Sequence, residues 1–332
     1  MYNELLKQEF IDQFDGNESK QQNLLWLFNA TESFEKIWKA DICTRGGEDL
    51  QKIADHLFGF RNAAMGSRRR LLKEYLNWCV DKGVPGAKND IGSVNMASTE
   101  KMRARTVSSP MHLQMYLNAL FLDEKLLTRD NAVRAYCWLA YMGMPEEEIL
   151  EVRCDEVNIE NRIVTHNGAE YRIYPEAVPC LRNCKELDHF VCIHPLYPDK
   201  TSVRKRASGD LLLRVTAPEV SCKVFRHDMS VASRKLADKK GDSAKTKEER
   251  LINRAETLRL TYYRIWISGL FYRAYLAEGF NVEPDFTEAA VRFAASERIT
   301  YSGKNYNKDT VVRKEKNNYL KDYMIWKKAY YS

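Results

Sequence analysis

Apolar residues return every three or four positions from Tyr2 to about Ile91. The groups are Leu24, Leu25, Leu27 and Phe28; Phe34, Ile37 and Trp38; Leu50, Ile53, Leu57 and Phe58; and Leu71, Leu72, Tyr75, Leu76 and Val80. That period puts each group on one helical face and predicts a small helical bundle. Its last helix is expected over Ser67–Asp81, with Ser67 as N-cap and Gly83 and Pro85 just past its end. From Gly86 to Pro110 the period disappears and small and polar residues dominate, as in a linker. Helical spacing returns over Met111–Tyr141, and the apolar run Ala135–Met142 stops at Gly143, a residue suited to a left-handed C-cap. Pro145 then restarts the chain ahead of Glu146, Glu147 and Glu148, carboxylates that suit the first turn of a helix. The period changes to two over Arg162–His166 and Ala169–Tyr174, on either side of Asn167-Gly168. Asn-Gly between alternating runs predicts a β-hairpin, because both turn positions need positive φ. Helices are predicted again over Ser221–Lys240 and Leu258–Gly279. The fold class is therefore mainly α with a small β-hairpin or sheet. It divides into a helical domain over 1–95, a basic linker over 96–110 and a second domain over 111–332.

Composition sharpens this picture in two places. The chain of 332 residues has room for about two domains, and its six Trp and eighteen Tyr exclude a disordered chain. It shows no apolar run of membrane-spanning length and no charged-then-apolar leader, so a cytoplasmic protein with no membrane partner is expected. The eight cysteines read as reduced, mostly core thiols. Cys180, Cys184, His189, Cys192 and His194 match no common zinc spacing, so no metal and no cofactor are expected.

The net charge of +6 is unevenly placed: residues 221–264 hold twelve Lys/Arg against six Asp/Glu, whereas residues 1–40 hold four against seven. Clustered cations are the footprint of a polyanion such as nucleic acid, although a solvated basic face has the same composition. Arg68, Arg69 and Arg70 crowd the predicted start of the Ser67–Asp81 helix, where they oppose its dipole unless an anion lies nearby. Lys101, Arg103 and Arg105 alternate along the linker, and Lys200, Arg204, Lys205 and Arg206 form a basic loop. Arg234 and Lys235 lie on the outer side of the 221–240 helix, and Lys304 and Arg313 belong to a basic C-terminal stretch. All are candidate contacts to double-stranded DNA.

The stretch Trp138–Val164, together with the SRRRLLKEYLNWCVDKG helix, resembles the tyrosine recombinases, or phage integrases. Gly143, Met144, Glu148, Ile149, Leu150, Glu156 and Val157 hold places of that family's pattern. The resemblance implies a helical core-binding domain followed by an integrase-type catalytic domain. It also shows where the chemistry is missing. Pro145 stands at the catalytic arginine position, no lysine lies between Arg162 and Glu170 in the hairpin, and Thr261 stands at the first histidine position of the H-x-x-R helix. Arg264 keeps the arginine position and can still hold a phosphate. No histidine follows Val291, and none of the C-terminal tyrosines sits at the family's nucleophile spacing. Recombination needs a phenolate nucleophile and several cations acting together, so three losses imply binding without cleavage.

Across the whole chain the order of features resembles the integrase-fold proteins that keep prophage lytic genes silent during lysogeny. The implied function is a catalytically inactive, sequence-specific DNA-binding transcriptional repressor of operator sites in a phage genome, nucleoid-associated and open to a protein or peptide antagonist. Two rivals remain: a divergent but active recombinase, and a helical protein-interaction module.

Overall fold

The computed structural model describes residues 1–57, 62–95, 98–121, 125–193, 200–216, 220–240, 258, 260–295 and 307–332. Contacts within it group the chain into two compact units. One holds Met1–Ala104, Ala237–Thr257 and Asp285–Ser332; the other holds Arg105–Leu236 and Leu258–Pro284. The architecture is mainly helical with two small antiparallel sheets among the described residues, in line with the expected fold class.

The first unit opens with α1 (Glu4–Asp12), α2 (Glu18–Trp38), α3 (Gly47–Leu57) and α4 (Asn62–Asp81). Phe10, Phe28 and Tyr75 meet edge to face at its centre, with ring centroids 4.8–6.5 Å apart. Beside them lies a fully buried ion pair, Lys7 of α1 with Glu35 of α2, at 2.5 and 2.6 Å. Glu35 also accepts bonds from Thr31 Oγ1 and the Ile42 amide, and Tyr75 donates to Asp41. Burial pushes the Glu35 carboxyl above its usual range, while Lys7 pulls it back.

The helix α4 is already formed at Asn62, where the described residues resume, so Ser67 is an interior residue and not the expected cap. The stretch expected to be an unstructured linker contains α5 (Thr99–Arg103), capped by the Ser98 side chain on the Lys101 amide.

The second unit is built around α7 (Asp130–Met142), whose residues from Asn131 to Met142 are all buried. Before it comes α6 (Pro110–Leu120), started by the Ser109 side chain and by Pro110 in the first turn. After it follow the single turn α8 (Glu146–Ile149) and a three-stranded sheet of β1 (Val157–Asn158), β2 (Ile163–His166) and β3 (Ala169–Arg172). The β2–β3 turn has φ of 49° at Asn167 and 76° at Gly168, as the sequence predicts. Next come α9 (Val178–Glu186) and a two-stranded ribbon of β4 (His189–Ile193) and β5 (Thr201–Lys205). The expected basic loop at 200–206 is thus largely a strand. The unit continues through α10 (Cys222–Lys240), which crosses into the first unit's residues at its end, and closes with α11 (Tyr262–Glu278). The remaining helices, α12 (Thr287–Ala295) and α13 (Lys308–Tyr331), belong to the first unit.

The eight cysteines carry free thiols. No cluster of metal-ligating side chains is found among the described residues, and His194 lies outside them. No described helix is long and apolar enough to cross a membrane.

Candidate nucleic-acid interface

The turn from Gly143 to Glu146 occupies the place where the family resemblance puts a catalytic arginine. Gly143 adopts φ 105°, and the amides of Gly143 and Met144 bond back to Ala140 and Leu139, which closes α7 with a Schellman pair. The carbonyls left over at a helix C-terminus need donors. Here α11 supplies them: Arg273 Nη1 bonds the Tyr141 oxygen at 2.7 Å, Trp266 Nε1 the Gly143 oxygen at 3.1 Å, and Tyr262 Oη the Met144 oxygen at 2.8 Å. Pro145 follows as the residue preceding α8, with φ −57°.

Glu146 then turns its carboxylate inward. It accepts from Tyr136 Oη at 2.5 Å and takes a two-point ion pair from Arg226 of α10, at 2.5 and 2.6 Å. Burial, and then Glu146, push the Tyr136 phenol up; the same carboxylate holds Arg226 charged.

The hairpin also lacks a cation at its turn. His166, the last residue of β2, is buried and lies 3.0 Å from both Glu156 oxygens. At the position where the family resemblance puts a histidine, Thr261 is the N-cap of α11, its hydroxyl accepting from the Arg264 amide at 3.4 Å. The helix therefore starts at Tyr262 and not at Leu258. Arg264 is half-buried and makes contacts of its own; its charge also reaches Tyr116, lowering a phenol that burial raises more strongly. Tyr116 of α6 bonds the Leu258 oxygen, Ser233 of α10 and the Leu260 amide, so three elements meet beside Arg264.

The cations singled out in the sequence separate into distinct groups. Consecutive residues on a helix point about 100° apart, and Arg68, Arg69 and Arg70 do. Arg68 stacks over Trp26 at 4.0 Å, Arg69 donates to the Ile91 oxygen at 3.3 Å, and Arg70 stays largely exposed with Glu74 at 3.9 Å. Arg69 and Arg70 line an open cleft of about 550 Å³ with Lys73, Asn89, Ile91 and Gly92. Lys73 was not among the sequence candidates. Its place one turn after Arg69 and Arg70 was the available signal.

In the linker, Lys101 and Arg105 are 1 % and 5 % exposed, and Arg103 donates through Nε to the Ala329 oxygen at 2.8 Å. Arg206 is 8 % exposed and bonds the Cys184 oxygen. Lys101, Arg105 and Arg206 are thus held inside the fold and leave the set of candidate contacts. Lys200, Arg204, Lys205, Arg234, Lys235 and Arg313 are exposed, and Lys304 lies outside the described residues.

Comparison with known proteins bears on the N-terminal part. Residues 1–81 match the family described as "MrpR, N-terminal core-binding domain". The expected core-binding domain at the N-terminus is therefore present. No curated protein matches the chain. Among solved structures, one described as "Crystal structure of XerA recombinase" aligns over 95 % of this chain and 97 % of its own, at 13 % identity and a TM-score of 0.33, too low to carry weight here.

Proposed function

We propose that this chain, which carries an MrpR-type core-binding domain over residues 1–81, is a sequence-specific DNA-binding repressor on a recombinase-type scaffold that no longer cleaves. The observation that carries the reading is the Gly143–Glu146 turn. Its Gly143 and Met144 carbonyls are taken up by Trp266 and Tyr262, the Tyr141 carbonyl just before it by Arg273, and its Glu146 carboxylate is neutralised by Arg226. The turn carries no cation of its own to stabilise a pentacoordinate phosphate, and such stabilisation is usually the largest contribution to phosphoryl-transfer catalysis.

Binding needs less than chemistry: exposed cations that neutralise phosphates and release counterions are enough for affinity. Arg70 and Lys73 in one unit, with Arg234 and Lys235 in the other, are exposed and meet that need, and the half-buried Arg264 is a further candidate. The partner is double-stranded DNA at operator sites, and the division into a helical domain (1–95), linker (96–110) and integrase-type domain (111–332) belongs to the same proposal. The feature order also resembles the integrase-fold master repressor of SPβ-type Bacillus prophages, which supports repression by occupancy and relief by a protein or peptide antagonist.

Gel shifts with fragments of the host element test the binding, with a steep fall in affinity with salt and preference for one site as the expected result. A nicked suicide duplex tests the loss of chemistry. A covalent adduct that disappears when one C-terminal tyrosine is changed to Phe establishes an active recombinase instead.

A further inference from the structure

The last helix, α13, lays one side on α5 and α12 of its own unit. Val311, Tyr319, Tyr323, Trp326 and Ala329 form that buried side, which also takes in Glu315 and Asp322. At about 100° per residue, the opposite side is a line through Asn317, Leu320, Met324, Lys327 and Tyr331, spaced by three and four residues in turn. Leu320 and Met324 on this line are 42 % and 55 % exposed, and Tyr331 at its end is exposed as well. Steps of three and four are the spacing of a seam against which a second helix packs.

The flank of the line is as regular as its centre. Lys314, Lys321 and Lys328 recur every seven residues, and all three fall on the same side of the line, where charges facing a partner helix stand. Each is exposed, and among the described residues none of them has an ion-pair partner. Lys316, on the other flank, is engaged by Asp285 and Thr287, and the half-buried Lys327 has contacts of its own. The face therefore consists of an apolar line with one row of three available ammonium groups beside it.

We infer that this face of α13 is a docking site for an acidic amphipathic helix of a partner protein or peptide, an inference that goes beyond the DNA-binding reading and does not depend on it. Leu320 and Met324 call for apolar side chains on the partner at the same spacing, and the lysine row calls for Asp or Glu at the places opposite. Charge argues against a second copy. From Arg313 to Ser332 the only carboxylate side chains are Glu315 and Asp322, both buried, so another α13 would set lysines against lysines. A DNA backbone offers anions but nothing apolar to cover Leu320 and Met324. An interfacial membrane helix buries a broad apolar face, whereas the apolar line here is one residue wide.

The test uses the full-length chain and a fluorescent synthetic peptide of three heptads, with leucine on its seam and glutamate on both flanks. Two control peptides carry glutamine or lysine on the flanks instead. In anisotropy titrations the wild type is expected to bind the glutamate peptide about eightfold more tightly than the glutamine peptide, a factor of about two for each of three ion pairs. Leu320→Ala/Met324→Ala is expected to weaken that binding about tenfold. The charge reversal Lys314→Glu/Lys321→Glu/Lys328→Glu is expected to switch the preference to the lysine peptide. All five substituted residues are exposed, and matching circular dichroism and thermal unfolding verify that the variants are folded. A wild type that does not prefer glutamate to glutamine overturns the assignment. So does an affinity that Leu320→Ala/Met324→Ala leaves unchanged, because adsorption of a polyanion needs no seam. A dimer in sedimentation, binding to phosphatidylserine vesicles or binding to duplex DNA that disappears in Leu320→Ala/Met324→Ala gives the face to a different occupant and overturns it too. Failed gel shifts on the host element overturn the repressor reading and leave this result standing.

Discussion

Gly269 of α11 rests directly on the backbone carbonyl of Tyr141 in α7, leaving no space for a Cβ between the two helices. Gly143 is constrained as well, since the Arg273 guanidinium covers the space where its side chain would be. The glycine contact lets α11 approach closely enough for Tyr262, Trp266 and Arg273 to reach the end of α7. Gly269→Ala is expected to destabilise the chain by about 2–3 kcal/mol, because the obstacle is backbone and cannot rotate away. Denaturant unfolding measures it. A loss below about 0.5 kcal/mol means that the helices separate at little cost.

Lys7 and Glu35 set a second expectation. Both side chains are fully buried, so removing Glu35 leaves the Lys7 charge only the more distant Asp41 carboxylate, 3.9 Å away. Glu35→Ala should cost about 3–5 kcal/mol, and Lys7→Met with Glu35→Leu together far less. Hydrogen exchange of the α1 and α2 amides in the full chain shows whether the loss falls there.

Asp285 precedes α12 and accepts from the Thr287 amide at 3.0 Å, the Thr287 hydroxyl at 2.6 Å and Lys316 of α13 at 2.8 Å. Lys316 first, then Thr287, hold its carboxyl down at about 2, against 3.8 for an ordinary aspartate. A lowered pKa in the folded state means stability that is complete above about pH 4 and is lost as pH falls toward 2. With a side chain 66 % exposed, screening keeps the contribution to a few tenths of a kcal/mol. A carboxyl titration followed by NMR should place the midpoint near 2 in the wild type, and Lys316→Ala should raise it. A midpoint already near 3.8 in the wild type contradicts the contact.

For DNA binding, Arg264→Ala should weaken affinity across sequences by about 1–2 kcal/mol through a lost phosphate contact. Arg70→Ala and Lys73→Ala should each reduce the slope of log affinity against log salt by about 1. Lys101→Ala and Arg105→Ala differ in kind: their side chains are buried, so they should lower thermal stability and leave the salt slope of the folded fraction unchanged. Titrations at three salt concentrations separate the two groups.

What the sequence revealed was local. Asn167-Gly168 and Gly143 could be recognised because positive φ is a property of single residues and their neighbours. The amphipathic helices were legible for the same reason. Partners remote in the chain were not. Glu146 and Arg226 are 80 residues apart, and nothing in either segment announces the pair. Cations were over-counted because a lysine or arginine in a polar stretch looks the same whether it ends in solvent, as Arg70 does, or under another element, as Lys101 and Arg206 do. Ser67 drew attention as a cap because Ser-Arg-Arg-Arg looks like a helix start, yet Asn62–Gly66 already continues the helix upstream. Thr261 had a local role visible in its type, since threonine is a common N-cap, and only comparison with a histidine position disguised it.

The bond from Arg103 to Ala329 spans 226 residues, and it ties α5 to the last turn of α13 within the unit that begins at Met1. During synthesis, at roughly 5–20 residues per second, the ribosome needs on the order of ten to forty-five seconds to travel from one partner to the other. Over that interval the N-terminal helices exist without the helix that completes their unit. A chain interrupted before residue 308 would keep the helices α1–α4 and its central α7, yet never close the first unit, so that unit can be finished only after every element of the second has been made.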